Sequence, residues 1–335
     1  MIPTTPRSLQ PSGWQQLWRE AITDPGELLD ALGLGDLRAR LPQADGKRFP
    51  TRVPRGYLAR MRAGDRDDPL LRQVLPLDDE DRLVPGFGFD AVGDLAAREA
   101  PGVLHKYAGR ALLVATGSCA IHCRYCFRRH FPYAEELAAR NGWRDAVAAI
   151  AGDPSLHEVL LSGGDPLALT TAKLRELTTQ LAAIPHLRRL RIHTRLPVVL
   201  PQRVDRELLD WLRALPWPVV CVIHANHAQE IGPEVVAALA ALRAAGVVLL
   251  NQSVLLRGVN DDVQTLATLG ETLFAAGVLP YYVHLLDRVH GAAHFEVDDA
   301  TAAALAAGLR AAQPGYLVPK FVREQAGAAS KTPFA

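Results

Sequence analysis

The chain has 335 residues, 49% of them hydrophobic and 22% charged, the make-up of a soluble globular enzyme with room for one large domain or two smaller ones. Its net charge of +1 supplies no electrostatic reason to hold nucleic acid or a membrane surface. The opening Met1–Arg7 lacks the apolar core of a secretion signal and no apolar run reaches spanning length, so a cytoplasmic setting is expected.

The first hundred residues read as a helical layer with long connections. Trp14, Leu17, Trp18 and Ile22 share one helical face. Asp24-Pro25 has the form of an N-cap followed by proline at the first helical position, opening a second helix over Glu27-Leu28-Leu29-Asp30-Ala31-Leu32. Turn-like stretches follow at Pro54-Arg55-Gly56 and at Ala63–Asp68. The simplest role for this layer, residues 1–105, is to pack over one side of what comes next.

From about residue 108 apolar strands alternate with amphipathic helices. Six strands are predicted, at Ala111–Ala115, Glu158–Leu161, Leu190–His193, Val219–His224, Val247–Asn251 and Tyr281–Leu285, with helices such as Ala172–Ile184 and Glu234–Ala244 between them. This alternation implies right-handed βαβ units and a parallel sheet. Six units are too few for a closed eight-stranded barrel, so the expected fold is α/β, a partial (β/α)6 barrel over residues 106–315.

Chemistry in parallel barrels gathers at the C-terminal ends of the strands. Here each predicted strand end carries polar or glycine-rich residues: the cysteine loop, then Ser162-Gly163-Gly164-Asp165-Pro166, His193-Thr194-Arg195, His224-Ala225-Asn226-His227, Gln252-Ser253 and Asp287. The cysteine loop is the most informative. Cys119, Cys123 and Cys126 on one tight turn can hold three irons of a [4Fe–4S] cube and leave the fourth open to a ligand that is not protein. A structural zinc site is the competing reading, with His122 or His130 as fourth donor, although no second cysteine pair exists. The fourth cysteine, Cys221, lies inside a strand and reads as core. Disulfides are disfavoured by the clustering and by the absence of a secretory segment. At the far end Gly327-Ala328-Ala329-Ser330-Lys331-Thr332-Pro333 presents one lysine on a small-residue loop, either a solvated charge or an amine able to form a Schiff base.

These segments, taken in order, resemble the lysine 2,3-aminomutase family, which uses both S-adenosylmethionine radical chemistry and pyridoxal 5′-phosphate. The resemblance runs from about Tyr107 to Thr332. It rests on Arg110, the three cysteines, Phe127-Arg128-Arg129, Gly163-Gly164-Asp165-Pro166, Thr194–Arg203, Asn226-His227, Asn251–Asp261 and Lys331-Thr332-Pro333. It implies a radical S-adenosylmethionine barrel with an N-terminal helical extension and a pyridoxal phosphate tail over residues 316–335. Cys119, Cys123 and Cys126 would ligate the cluster. Gly163, Gly164, Asp165, Arg195, Asn226 and His227 would serve S-adenosylmethionine, with the two glycines freeing the backbone for a ligand or for positive φ. Lys331 would hold pyridoxal phosphate, with Arg110 and Gln252 on its phosphate. Arg128 would clamp the substrate α-carboxylate, while Asp287 and Glu324 would face the distal ammonium of lysine. The family has aspartate where this chain has Glu324. Two carboxylates favour lysine over glutamate as substrate, the alternatives being a glutamate 2,3-aminomutase or another radical enzyme. The chain also stops four residues after Lys331 and lacks the further cysteines of longer family members. That short form resembles the mutases that make (R)-β-lysine for a ligase acting on elongation factor P, with flavodoxin or ferredoxin as reductant. Since Gly327–Ser330 offer little to pack, the tail is expected to be mobile until Lys331 is anchored by its cofactor.

Overall fold

The computed structural model describes residues 13–42 and 49–334. The Met1–Arg7 stretch lies outside them. Ten strands follow one another across a single sheet in chain order. They are β1 (Arg98–Ala100), β2 (Val103–Tyr107), β3 (Arg110–Thr116), β4 (Glu158–Gly163), β5 (Arg189–Thr194), β6 (Val219–His224), β7 (Val248–Val254), β8 (Leu279–His284), β9 (Lys320–Arg323) and β10 (Thr332–Pro333). Strands β3 to β9 are parallel neighbours. An antiparallel meander, β1–β2–β3, borders one edge and β10 runs antiparallel to β9 at the other.

Each of the six strands from β3 to β8 is followed by a helix: Arg144–Gly152, Thr171–Ala182, Arg206–Arg213, Pro233–Ala244, Val263–Ala275 and Asp299–Ala312. Their starts are set locally. Thr170, Asp205, Asp262 and Asp298 each accept a backbone N–H from the first turn, and Pro233 occupies a first position where its missing N–H costs nothing. Their inner faces carry apolar side chains at helical spacing, such as Leu174, Leu177 and Leu181, all buried against the sheet. The expected partial (β/α)6 barrel is present.

Strand β9 adds a seventh parallel strand. Its apolar signal is only Phe321-Val322 between a lysine and an arginine, too short to be read as a strand alone. It falls inside the stretch expected to be a tail, and β2 crosses the expected boundary at residue 105, so both flanking segments contribute to the sheet. The sheet curls until segments near its two ends meet on the cavity wall. There Tyr107 Oη, at the end of β2, donates to Glu324 Oε1, just after β9, at 2.7 Å.

The tail is placed against the sheet at its far end. Thr332 and Pro333 pair with Arg323 and Val322, Phe334 N donates to Phe321 O at 2.8 Å, and the Arg323 guanidinium lies 5.4 Å from the Phe334 ring centroid. The small residues before Lys331 are mostly exposed, but the backbone after it finds a strand to pair with.

In the N-terminal layer the first helix is short, Trp14–Arg19, and Ile22 lies past it in a two-residue bridge to Val53. The second, Pro25–Ala31, has Asp24 as cap, accepting from Gly26 N at 2.9 Å. The fourth cysteine, Cys221, is buried within β6, as its setting suggested.

Candidate active site

The cysteine loop leaves the C-terminal end of β3, and Cys119, Cys123 and Cys126 all line a cavity of about 990 Å³ inside the curled sheet. Burial pushes the Cys119 thiol up, and that of Cys126 up to about 11, with neighbouring loop thiols adding to both. Among the described residues no group of three donors is arranged to hold a single metal ion. His122 and His130 each face a backbone carbonyl, Pro50 O at 3.0 Å and His290 O at 3.2 Å. The donor set therefore fits a cluster with three protein ligands better than it fits zinc.

The N-terminal layer holds this loop from beneath. His122 N donates to Arg52 O and Arg124 N to Gln73 O. Buried Glu80 receives Arg124 through two bonds of 2.6 Å and also pairs with Arg129. Burial pushes the Glu80 carboxyl up, but the two guanidiniums outweigh it and hold it below the usual range. Glu80→Ala would strand two buried cations, so it is expected to lower unfolding free energy by about 3–5 kcal/mol, read as a shift of the urea midpoint.

Gly163 and Gly164 lie against that loop. Gly163 has φ +119°, and a Cβ there would stand 2.4 Å from Thr116 O; one on Gly164 would stand 2.4 Å from Ser118 O. Both backbones thus approach the cysteine loop as well as the cavity they line. Asp165 is saturated by four bonds, accepting from Thr194 Oγ1, Leu167 N, Arg195 N and Leu196 N at 2.7–3.1 Å. It joins the end of β4 to the end of β5. Arg195 lines the cavity and donates to Cys123 Sγ at 2.7 Å. Asn226 and His227 are not on the cavity wall. Buried Asn226 donates to Gln73 Oε1 and Tyr125 Oη and accepts from Val254 N, whereas the His227 ring accepts from Gln229 N. Asn226 reaches the cysteine loop through Tyr125, and neither residue is on the cavity surface.

The other side of the cavity is built around Lys331. Its Nζ lies 2.5 Å from Glu324 Oε2, and Lys106 Nζ stands 3.6 Å from the other oxygen of that carboxylate. Burial pushes Glu324 up, but Lys331 and these hydrogen bonds bring it below its ordinary value. Asp287 lies in the same cavity, and burial raises it to about 7; Lys331 opposes that shift and Glu324 adds to it. Arg110 stacks on Tyr107 at 4.7 Å, and Gln252 Nε2 stands 3.0 Å from His224 Nε2. Arg128, also on the wall, donates from Nε to Asp94 Oδ2 at 2.6 Å and from Nη1 to Ser162 Oγ at 3.1 Å. Asp94 in turn pairs with Lys106 at 2.6 Å. Asp94, Lys106 and Tyr107 escaped the sequence reading because nothing in their local sequence marks them.

Three imidazoles complete this end: His193, His224 and His284 from the ends of β5, β6 and β8. Burial lowers all three, His224 to about 3, so they are neutral donors and acceptors. His193 Nε2 and His284 Nε2 are buried without a partner among the described residues. Unpaired buried polar atoms beside an amine, a guanidinium and an amide in a roomy cavity fit a polar cofactor such as pyridoxal phosphate.

A curled parallel sheet with a three-cysteine loop on its first parallel strand is the layout of a radical S-adenosylmethionine enzyme. No family model matches the chain. Curated proteins do: it is 48% identical to the L-lysine 2,3-aminomutase of Escherichia coli (strain K12), covering 96% of this chain and 94% of that one. It is 44% identical to that of Haemophilus influenzae over 100% and 99%, and 37% identical to that of Clostridium subterminale over 83% of this chain but 67% of the longer relative. The chain belongs to the L-lysine 2,3-aminomutase family and is an isomerase of the aminomutase type. Among solved structures a radical SAM methyltransferase from Sphaerobacter thermophilus is similar at a TM-score of 0.45 and 18% identity over 66% of this chain and 68% of that one, too distant to carry an argument.

Proposed function

We propose that this protein converts L-α-lysine to (R)-β-lysine, with a [4Fe–4S] cluster on Cys119, Cys123 and Cys126, S-adenosylmethionine on the open iron and pyridoxal phosphate on Lys331. The observation that carries the reading is the meeting of two carboxylates, Asp287 and Glu324, with Lys331 in the cavity that also holds the three thiols. When bound, the cluster with S-adenosylmethionine supplies a hydrogen-abstracting radical, and pyridoxal phosphate supplies the imine linkage and ring that let nitrogen migrate between adjacent carbons.

The chain's own residues position and enclose. Arg128, aimed by Asp94 and Ser162, meets the substrate carboxylate. Asp287 and Glu324 meet the distal ammonium, and a distal carboxylate there would face two like charges. Arg110, Gln252 and the neutral histidines offer donors to a phosphate and a ring. The apolar sheet, with Tyr107 tied to Glu324 on the cavity wall, keeps water from the reacting carbons.

The wider setting in this reading is cytoplasmic; no helix among the described residues is long and apolar enough to cross a membrane. A flavodoxin or ferredoxin would supply the electron, and the product would pass to a ligase acting on elongation factor P. The test is anaerobic. Protein reconstituted with iron, sulfide and pyridoxal phosphate is given S-adenosylmethionine, a strong reductant and either L-lysine or L-glutamate, and the amino acids are separated after derivatisation. β-Lysine from lysine alone is expected; β-glutamate instead would overturn the substrate assignment.

A further inference from the structure

We propose that Arg195 donates a hydrogen bond to the Cys123 thiolate that raises the reduction potential of the iron–sulfur cluster, and that Glu230 is the positioning residue that aims it. This rests on the cluster reading above. Arg195 Nη1 lies 2.7 Å from Cys123 Sγ. Its Nη2 is fixed on three acceptors from three parts of the chain, Gln73 Oε1 at 2.7 Å, Glu230 Oε2 at 2.8 Å and Tyr57 Oη at 3.2 Å. The guanidinium also lies over the Tyr57 and Tyr125 rings, at 5.6 and 5.8 Å. Its aim therefore cannot drift. Glu230 is fixed in turn, its Oε1 accepting from Asn226 N at 2.8 Å and His227 N at 3.1 Å. This explains why Asn226-His227 stands at a strand end yet off the cavity wall.

The charges decide which effect reaches the sulfur. The side chains of Arg195 and Glu230 are 7% and 0% exposed, so the pair is a buried, nearly neutral unit. What it presents to Cys123 is a directed N–H rather than a net positive charge. Hydrogen bonds to cluster sulfurs are among the factors that set iron–sulfur potentials, because they withdraw electron density from the thiolate and favour the reduced form. Arg195 Nε, buried without a protein partner, is a further donor left on the same guanidinium.

The test removes the donor without changing net charge: Arg195→Met combined with Glu230→Gln, reconstituted with iron and sulfide beside the wild type and titrated potentiometrically with electron paramagnetic resonance detection. The double variant should show a reduced-to-oxidised ratio about tenfold lower at a fixed poise, equivalent to about 59 mV for one electron. A potential equal to that of the wild type would overturn the proposal. A second measurement needs no variant. In wild type assembled in D2O, pulsed resonance should detect an exchangeable deuteron coupled to the reduced cluster, and its absence would overturn the proposal equally. Failure of the wild type itself to take up iron with sulfide would strike the cluster reading and not the role of Arg195, so the two failures are distinguishable.

Discussion

Lys331→Ala is expected to abolish β-lysine formation, lowering turnover by about 10³-fold or more, because it removes the covalent hold that makes the reaction intramolecular. The fold should survive. Lys331 is held by an ion pair to Glu324 and a contact over the Tyr282 ring, while the strand beyond it is held by backbone pairing between β10 and β9 that needs no lysine. Far-UV circular dichroism and the urea midpoint should therefore stay near wild type. Borohydride reduction of the loaded wild type should leave a mass adduct on the peptide containing Lys331, and the variant should carry none. A variant that still acquires the adduct, on Lys106 or Lys320 for example, would show that the cavity does not select Lys331 and would move the cofactor assignment elsewhere.

What the sequence made legible follows from how local each signal is. The cysteine loop is one turn of chain, and its three thiols reach the same cavity because a turn leaves them little alternative. Strands β3, β4 and β6 announce themselves by largely buried apolar runs, and β5 and β7 by alternation of buried and less buried residues. Strand β9 does not, because its place depends on pairing with β8 rather than on its own two apolar residues. Glu80 was hidden for the opposite reason. It stands in Asp78-Asp79-Glu80-Asp81, a run that reads as a solvated face, yet it is buried because Arg124 and Arg129 arrive from another segment. The N-terminal layer is accordingly more than a cover, since Arg52, Gln73 and Glu80 grip the cysteine loop directly. Asp165, Arg195 and Asn226 were legible as special, but their protein partners were not. Asp165 and Asn226 are spent on bonds between strand ends and neighbouring segments, and the partner of Arg195 in Gln73 is 122 residues away. No reading of a motif in isolation can see such a partner.

Asp287 should give the second large effect, with opposite consequences for stability and activity. Its folded pKa is raised to about 7, so the folded protein holds this proton more tightly than the unfolded chain does. Unfolding then releases a proton between roughly pH 4 and 7, and the stabilising contribution is lost as pH rises through the folded value. Asn carries no charge to bury, so Asp287→Asn should be more stable than wild type at pH 8, by about 2 kcal/mol given a side chain that keeps some exposure, and most of that gain should be gone at pH 5. Function runs the other way. Only the ionised carboxylate attracts a distal ammonium, so the wild-type KM for lysine should fall as pH rises from 6 to 8, while Asp287→Asn should lose that dependence and about 10²- to 10³-fold in kcat/KM. Stability curves and steady-state kinetics across this pH range would check both halves. A stabilised variant with unchanged KM would leave Asp287 as a buried acid without a substrate, and would shift the whole burden of ammonium recognition onto Glu324, which Lys331 already occupies.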